Sequence, residues 1–161
     1  MHVKKAMTTD VAACSPETNL ASVVQVMWDR DCGLVPVIDE AGRVLGVVTD
    51  RDICMATAMK DCNPSGISVE EVMTGTVYAA APQEDIEQAL KTMREHRIRR
   101  LPVLDLAGEL EGILSLNDIV LKAKGPNGKK TPQIDYADFV KTYQAICEHA
   151  LPMATAATVA K

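Results

Sequence analysis

The 161 residues fit one domain or two small halves sharing a core, and 47% apolar side chains suffice to fill it, which excludes a disordered chain. A net charge of −5 speaks against tracking a phosphate backbone, which needs a basic face, so nucleic acid is not expected as a partner. No apolar stretch reaches membrane-span length and the amino-terminal MHVKKAMTTD lacks the apolar core of a signal peptide, so no membrane association and a cytoplasmic location are expected.

In chain order, a short extended piece is predicted over residues 11–14, followed by a turn at Pro16. The stretch NLASVVQVMWDRD then sets Leu20, Val23, Val24 and Met27 on one helical face. Two β-rich runs follow at 34–39 and 43–48, separated by EAG, whose glycine suits a positive φ. Thr49, a hydroxyl residue three places before Asp52, marks the next helix start as a capping box would. The series then begins again. Shifted by 66 residues, positions 6–53 fall on 72–119 without a gap: Met7-Thr8 on Met73-Thr74, Pro16 on Pro82, PVID on PVLD, and GVVTDRDI on GILSLNDI. The second copy repeats the extended piece (77–80), the helix face (Ile86, Ala89, Leu90, Met93), the two strands and a helix start at Ser115 with Asp118. The chain is therefore read as an α+β tandem duplication of a β-α-β-β-α unit, residues 1–60 and 61–124. A segment 125–161 follows: a turn-rich linker, an amphipathic helix with Tyr136, Phe139, Val140, Tyr143, Ile146 and Cys147 along one side, and a tail, MATAATVAK, expected to be mobile. That apolar face must dock on its own module, a second subunit or a partner. Because the repeat ends before the linker, the core is expected to be complete without residues 126–161.

No nucleophile elbow, P-loop or GxGxxG occurs, so no catalytic residue is assigned. Five cysteines without CxxC spacing and three scattered histidines suggest neither disulfides nor a metal site; most of the cysteines are expected to be buried.

The MT dipeptide that opens each copy, the strand with LPV and Asp, and the strand-to-helix turn G-h-h-T/S-x-x-D (h apolar) resemble the CBS domain family over residues 3–124. The resemblance implies two repeats packed through their sheets as a pseudo-twofold pair, with two clefts that in the family often hold adenine nucleotides or related adenosyl compounds. It also implies a regulatory module acting on an unidentified partner protein, without catalysis of its own, and a homodimer as the default assembly. No cofactor is expected beyond such a ligand (AMP, ADP, ATP or another adenosyl compound).

The residues themselves support a ligand of that kind. Thr49 with Asp52, and Ser115 with Asp118, sit in first helical turns, where free N–H groups favour phosphate and the carboxylate suits a sugar diol; the same pairs can simply cap their helices. Arg99 and Arg100 belong to the second copy only, falling on Gly33 and Leu34 of the first, so the fold does not demand them. The resemblance places such basic side chains against nucleotide phosphates, a task that the planar guanidinium suits; a solvated face is the alternative, and it is the reading adopted for Arg94 and Arg97. By the same resemblance an adenine slot is expected near Val11 and Ala12 or Val77 and Tyr78. Asp50 and Arg51 become Leu116 and Asn117, so the two clefts are expected to be unequal. A ligand-free assembly module, with arginines and caps purely structural, remains the competing reading.

Overall fold

The computed structural model describes residues 1–122 and 136–148; the linker and the tail predicted to be mobile lie outside these. Each copy is an antiparallel hairpin flanked by helices. The first holds α1 (Leu20–Asp29), β1 (Leu34–Ile38), β2 (Val44–Thr49) and α2 (Asp50–Lys60); the second holds α3 (Ile86–His96), β3 (Arg100–Leu104), β4 (Leu110–Ser115) and α4 (Leu116–Lys122). A further helix, α5, runs over Tyr136–Cys147.

Local chemistry explains the element ends. Asn19 caps α1 by accepting from the Ser22 N–H, and Thr49 forms the predicted capping box at α2. In both hairpins the turn is closed by an aspartate: Asp39 Oδ1 accepts from the N–H groups of Ala41 and Arg43, and Asp105 Oδ1 from those of Ala107 and Glu109. Matching registers run from Leu34 opposite Thr49 and from Arg100 opposite Ser115.

The extended piece that opens each copy is reduced to a single parallel bridge, Cys14 to Val37 and Ala80 to Val103. The Cys14 N–H donates to the Pro36 carbonyl, and the Cys14 carbonyl accepts from the Ile38 N–H. The next donor of such a ladder would be residue 16 or 82. Both are proline and have no N–H, so the pairing stops.

Each core is completed by the segment that opens the other copy. Val3 and Ala6 are buried with Ile86, Leu90, Met93, Leu101 and Leu114 of the second copy, while Ile67 and Val69 are buried with Leu20, Val23, Val35 and Val37 of the first. Backbone hydrogen bonds fix the exchange: Val3 N–H to Glu84 O and Ile86 N–H to Met1 O on one side, Leu20 N–H to Ile67 O and Val69 N–H to Thr18 O on the other. The MT dipeptides then cross to the opposite sheet, Thr8 bridging Ile113 and Thr74 bridging Val47. This crossing explains the motif glycines. A Cβ on Gly46 would lie 2.9 Å from the Thr74 carbonyl oxygen, and one on Gly112 only 2.6 Å from that of Thr8.

Three expectations need correction. Val24, placed on the buried face of α1, is 44% exposed, whereas its counterpart Leu90 is fully buried. The difference is α5, which packs on α3 and has no equivalent over α1 among the described residues. Second, α5 docks on its own module, the first of the expected alternatives, but its packed face matches the predicted one only at Phe139 and Ile146. Phe139 and Ile146 pack against the second core, and Thr142 is fully buried, while Val140, Tyr143 and Cys147 are exposed; the side chain of Tyr136 lies outside the described set. Thr142 is tolerated there because its hydroxyl donates within reach of the Asp138 carbonyl (2.8 Å) and that of Leu90 (3.4 Å). The second core thus extends onto α5, which lies within the segment expected to be dispensable. Third, of the five cysteines only Cys14 is buried; Cys32 is half-buried and Cys54, Cys62 and Cys147 are exposed, all as free thiols. No helix among the described residues is long and apolar enough to cross a membrane.

Candidate functional site

A cleft of about 440 Å³ opens where the two copies meet, a volume within the range of small-molecule sites. The turn from β2 into α2 supplies Thr49, Asp50, Arg51 and Asp52; the crossing segment of the second copy supplies Thr74, Thr76, Val77 and Tyr78; the turn from α3 into β3 supplies Arg97, Ile98, Arg99 and Arg100. Six predicted residues thus come together: Thr49, Asp52, Val77, Tyr78, Arg99 and Arg100. Ser115, Asp118, Val11 and Ala12 do not line this cleft; they occupy the twofold-related positions.

The two strand-to-helix turns have the same cap but differ in what it leaves over. Asp52 Oδ2 accepts from the Thr49 N–H (2.9 Å) and hydroxyl (2.6 Å), and Asp118 Oδ2 from those of Ser115 (2.8 and 2.5 Å). Asp118 Oδ1 also accepts from the Thr8 hydroxyl at 3.4 Å. No described residue donates to Asp52 Oδ1, so one carboxylate oxygen at the cleft is left for another donor.

At the centre, Asp50 and Arg100 converge on Gly33. A Cβ there would be 2.9 Å from Asp50 Oδ2 and 3.5 Å from Arg100 Nη2, so a side chain would push the carboxylate aside. The twin positions of Asp50 and Arg100 are Leu116 and Leu34, both buried. A charged pair on one side of the pseudo-twofold thus replaces an apolar pair on the other. Partial burial holds the Arg100 guanidinium below the usual arginine range, the neighbouring Arg99 adds to this, and Asp50, Cys32 and Asp118 oppose it. Among the described residues neither Arg99 nor Arg100 forms an ion pair.

Tyr78 is not core packing. It is 39% exposed and stacks on His96 with ring centroids 3.5 Å apart. The twins of Tyr78 and His96 are Ala12 and Arg30, and Arg30 instead pairs with Asp10 at 2.7 Å. Arg94 and Arg97, expected on a solvated face, pair with acids of α5 and of the residue that follows it: Asp138 at 3.1 Å, in a partly buried pair, and Glu148 at 3.9 Å. Arg97 nevertheless lines the cleft, as does Ile146 of α5. The sequence signalled Asp50 through its departure from Leu116, but Thr74, Thr76 and Ile146 carry no such mark. Among the described residues no cluster of metal-ligating side chains occurs.

The profile of the CBS domain matches residues 3–58 and 69–125, the two copies of the repeat. The chain belongs to the CBS domain family. Its CBS pair is 34% identical over 119 residues to the CBS domain-containing protein YhcV of Bacillus subtilis, covering 74% of this chain and 83% of that one. It is 32% identical to the inosine-5'-monophosphate dehydrogenase of Methanocaldococcus jannaschii, covering 80% of this chain but only 25% of the enzyme. Among solved structures, CBSX2 in complex with AMP superposes with a TM-score of 0.64 at 27% identity, over 74% of this chain and 93% of that one.

Proposed function

We propose that this CBS pair is a regulatory sensor of an adenosine-containing metabolite, bound in the cleft between the copies, and that it conveys occupancy to a partner protein without catalysis of its own. One observation carries the reading: Arg100, a half-buried cation with no ion-pair partner among the described residues, shares a cleft with the unengaged oxygen of Asp52. Asp50 offsets this charge only in part and forms no ion pair with it, and an anionic ligand would supply direct compensation. In this reading Arg100 and Arg99 hold phosphate, Asp52 Oδ1 and the Thr49 region hold the ribose, and Val77 with Tyr78 flanks the base. The likeness to a protein solved with AMP supports the ligand class. The twin cleft, with Ser115, Asp118, Val11 and Ala12, is the lesser site, because Leu34 and Leu116 occupy the positions of the charged pair.

A homodimer is the proposed assembly, and the exposed Trp28 (83%) and Met59 (80%) on the helical face of the first copy support association there. These same side chains favour the alternative of a ligand-free assembly module. Thermal shift with AMP, ADP, ATP, adenosine and S-adenosylmethionine separates the two: a ligand at a hundred times its Kd stabilises by about 2.7 kcal/mol. No shift with any of them would favour assembly alone.

A further inference from the structure

We propose that the last turn of α5 is a movable wall of the ligand cleft and that Arg97 is the group through which an anionic ligand loosens it. The inference rests on the adenosyl reading above and adds to it a route from cleft to surface.

Ile146 lines the cleft although α5 lies outside both copies of the repeat. Beside it Arg97 reaches from the cleft to the end of α5, where Nη1 donates to the Glu148 carbonyl oxygen (3.2 Å) and Nη2 lies 3.9 Å from Glu148 Oε2. A cation facing the ligand space is thus already engaged by α5. The rest of α5 is held independently of the cleft, by Phe139, by buried Thr142 and by the Arg94–Asp138 pair. The hold of Arg97 on the last turn is the weaker one, since both side chains are at least half exposed (50% and 73%) and the contact to the carboxylate is long.

A phosphate entering beside Arg97 makes charge-assisted hydrogen bonds stronger than that to a neutral carbonyl, and its charge repels the Glu148 carboxylate. Adenosine brings no such charge. By reciprocity, whatever loosens the last turn must tighten the phosphorylated ligand by the same factor. The first copy has no such device among the described residues, because Asp31 stands in the place of Arg97 and no described helix takes the position of α5 over α1.

The test is amide hydrogen exchange across residues 144–148 of the full chain, free and saturated with AMP or adenosine, together with calorimetric titration of Glu148→Gln. AMP is expected to speed exchange there and adenosine to leave it unchanged. Glu148→Gln, at an exposed position that does not threaten folding, is expected to exchange faster without ligand and to bind AMP roughly two- to fivefold more tightly, with adenosine affinity unaltered. AMP that binds while exchange in the last turn stays unchanged or slows overturns the inference and leaves the adenosyl reading standing, as does an unchanged AMP affinity in Glu148→Gln. Failure of both wild type and variant to bind either compound overturns the two together.

Discussion

Thr8 donates its hydroxyl to Asp118 across the two copies, Oγ1 to Oδ1 3.4 Å, while the twin Thr74 makes no such bond to Asp52. One carboxylate is thus engaged on both oxygens and the other on one. Asp52→Ala is expected to weaken AMP and adenosine alike, because a sugar contact is common to both. Asp118→Ala is expected to cost about 1 kcal/mol of stability through the lost cap, with little effect on binding. Calorimetric titration of each variant, beside urea unfolding, checks the contrast; equal binding losses would mean that both clefts are used.

Arg100→Ala is expected to weaken AMP about tenfold to a hundredfold, the range for a charge-assisted hydrogen bond, and adenosine hardly at all. Equal losses for the two ligands would return the arginine to a structural role.

Gly112→Ala is expected to destabilise the protein by roughly 1–3 kcal/mol, since the new methyl would meet backbone, the Thr8 carbonyl oxygen, at 2.6 Å. Gly46→Ala should act in the same direction, and less, because the matching approach is 2.9 Å. Urea midpoints measured on both report the order.

Phe139→Ala is expected to cost about 1–3 kcal/mol, less than for a fully buried phenylalanine, because the ring packs against the second core while remaining partly accessible. A truncation before residue 136 should lower the melting temperature further. An unchanged melting temperature would show that α5 contributes nothing to the folded module.

Burial pushes the Cys14 thiol from the ordinary 9.0 up to about 11. Between these values the unfolded chain gives up the proton that the folded chain retains, so stability present below pH 9 should fall as pH rises toward 11. At pH 8, iodoacetamide should label the exposed Cys54, Cys62 and Cys147 first and leave Cys14 protected until unfolding. Mass spectrometry of the labelled protein reads the order directly.

The repeat, the hairpins and the capped helix starts were legible in the sequence because each depends on residues close along the chain: an apolar stripe, an aspartate closing its own turn, a hydroxyl three places before an acid. The unequal clefts were legible too, since Asp50 against Leu116 and Arg100 against Leu34 are visible as departures from the repeat. What only the tertiary structure decided depends on partners distant in sequence. The core of each copy is finished by the other copy's leading segment, so the reason for glycine at 46 and 112 lies in the carbonyls of Thr74 and Thr8. The burial of Leu90 and the exposure of Val24 follow from where α5 docks, and Ile146 reaches the cleft by that docking alone. A periodic pattern says that a helix has an apolar side; which side is covered depends on the surface that it meets, and that surface is assembled only when the two copies have folded against each other.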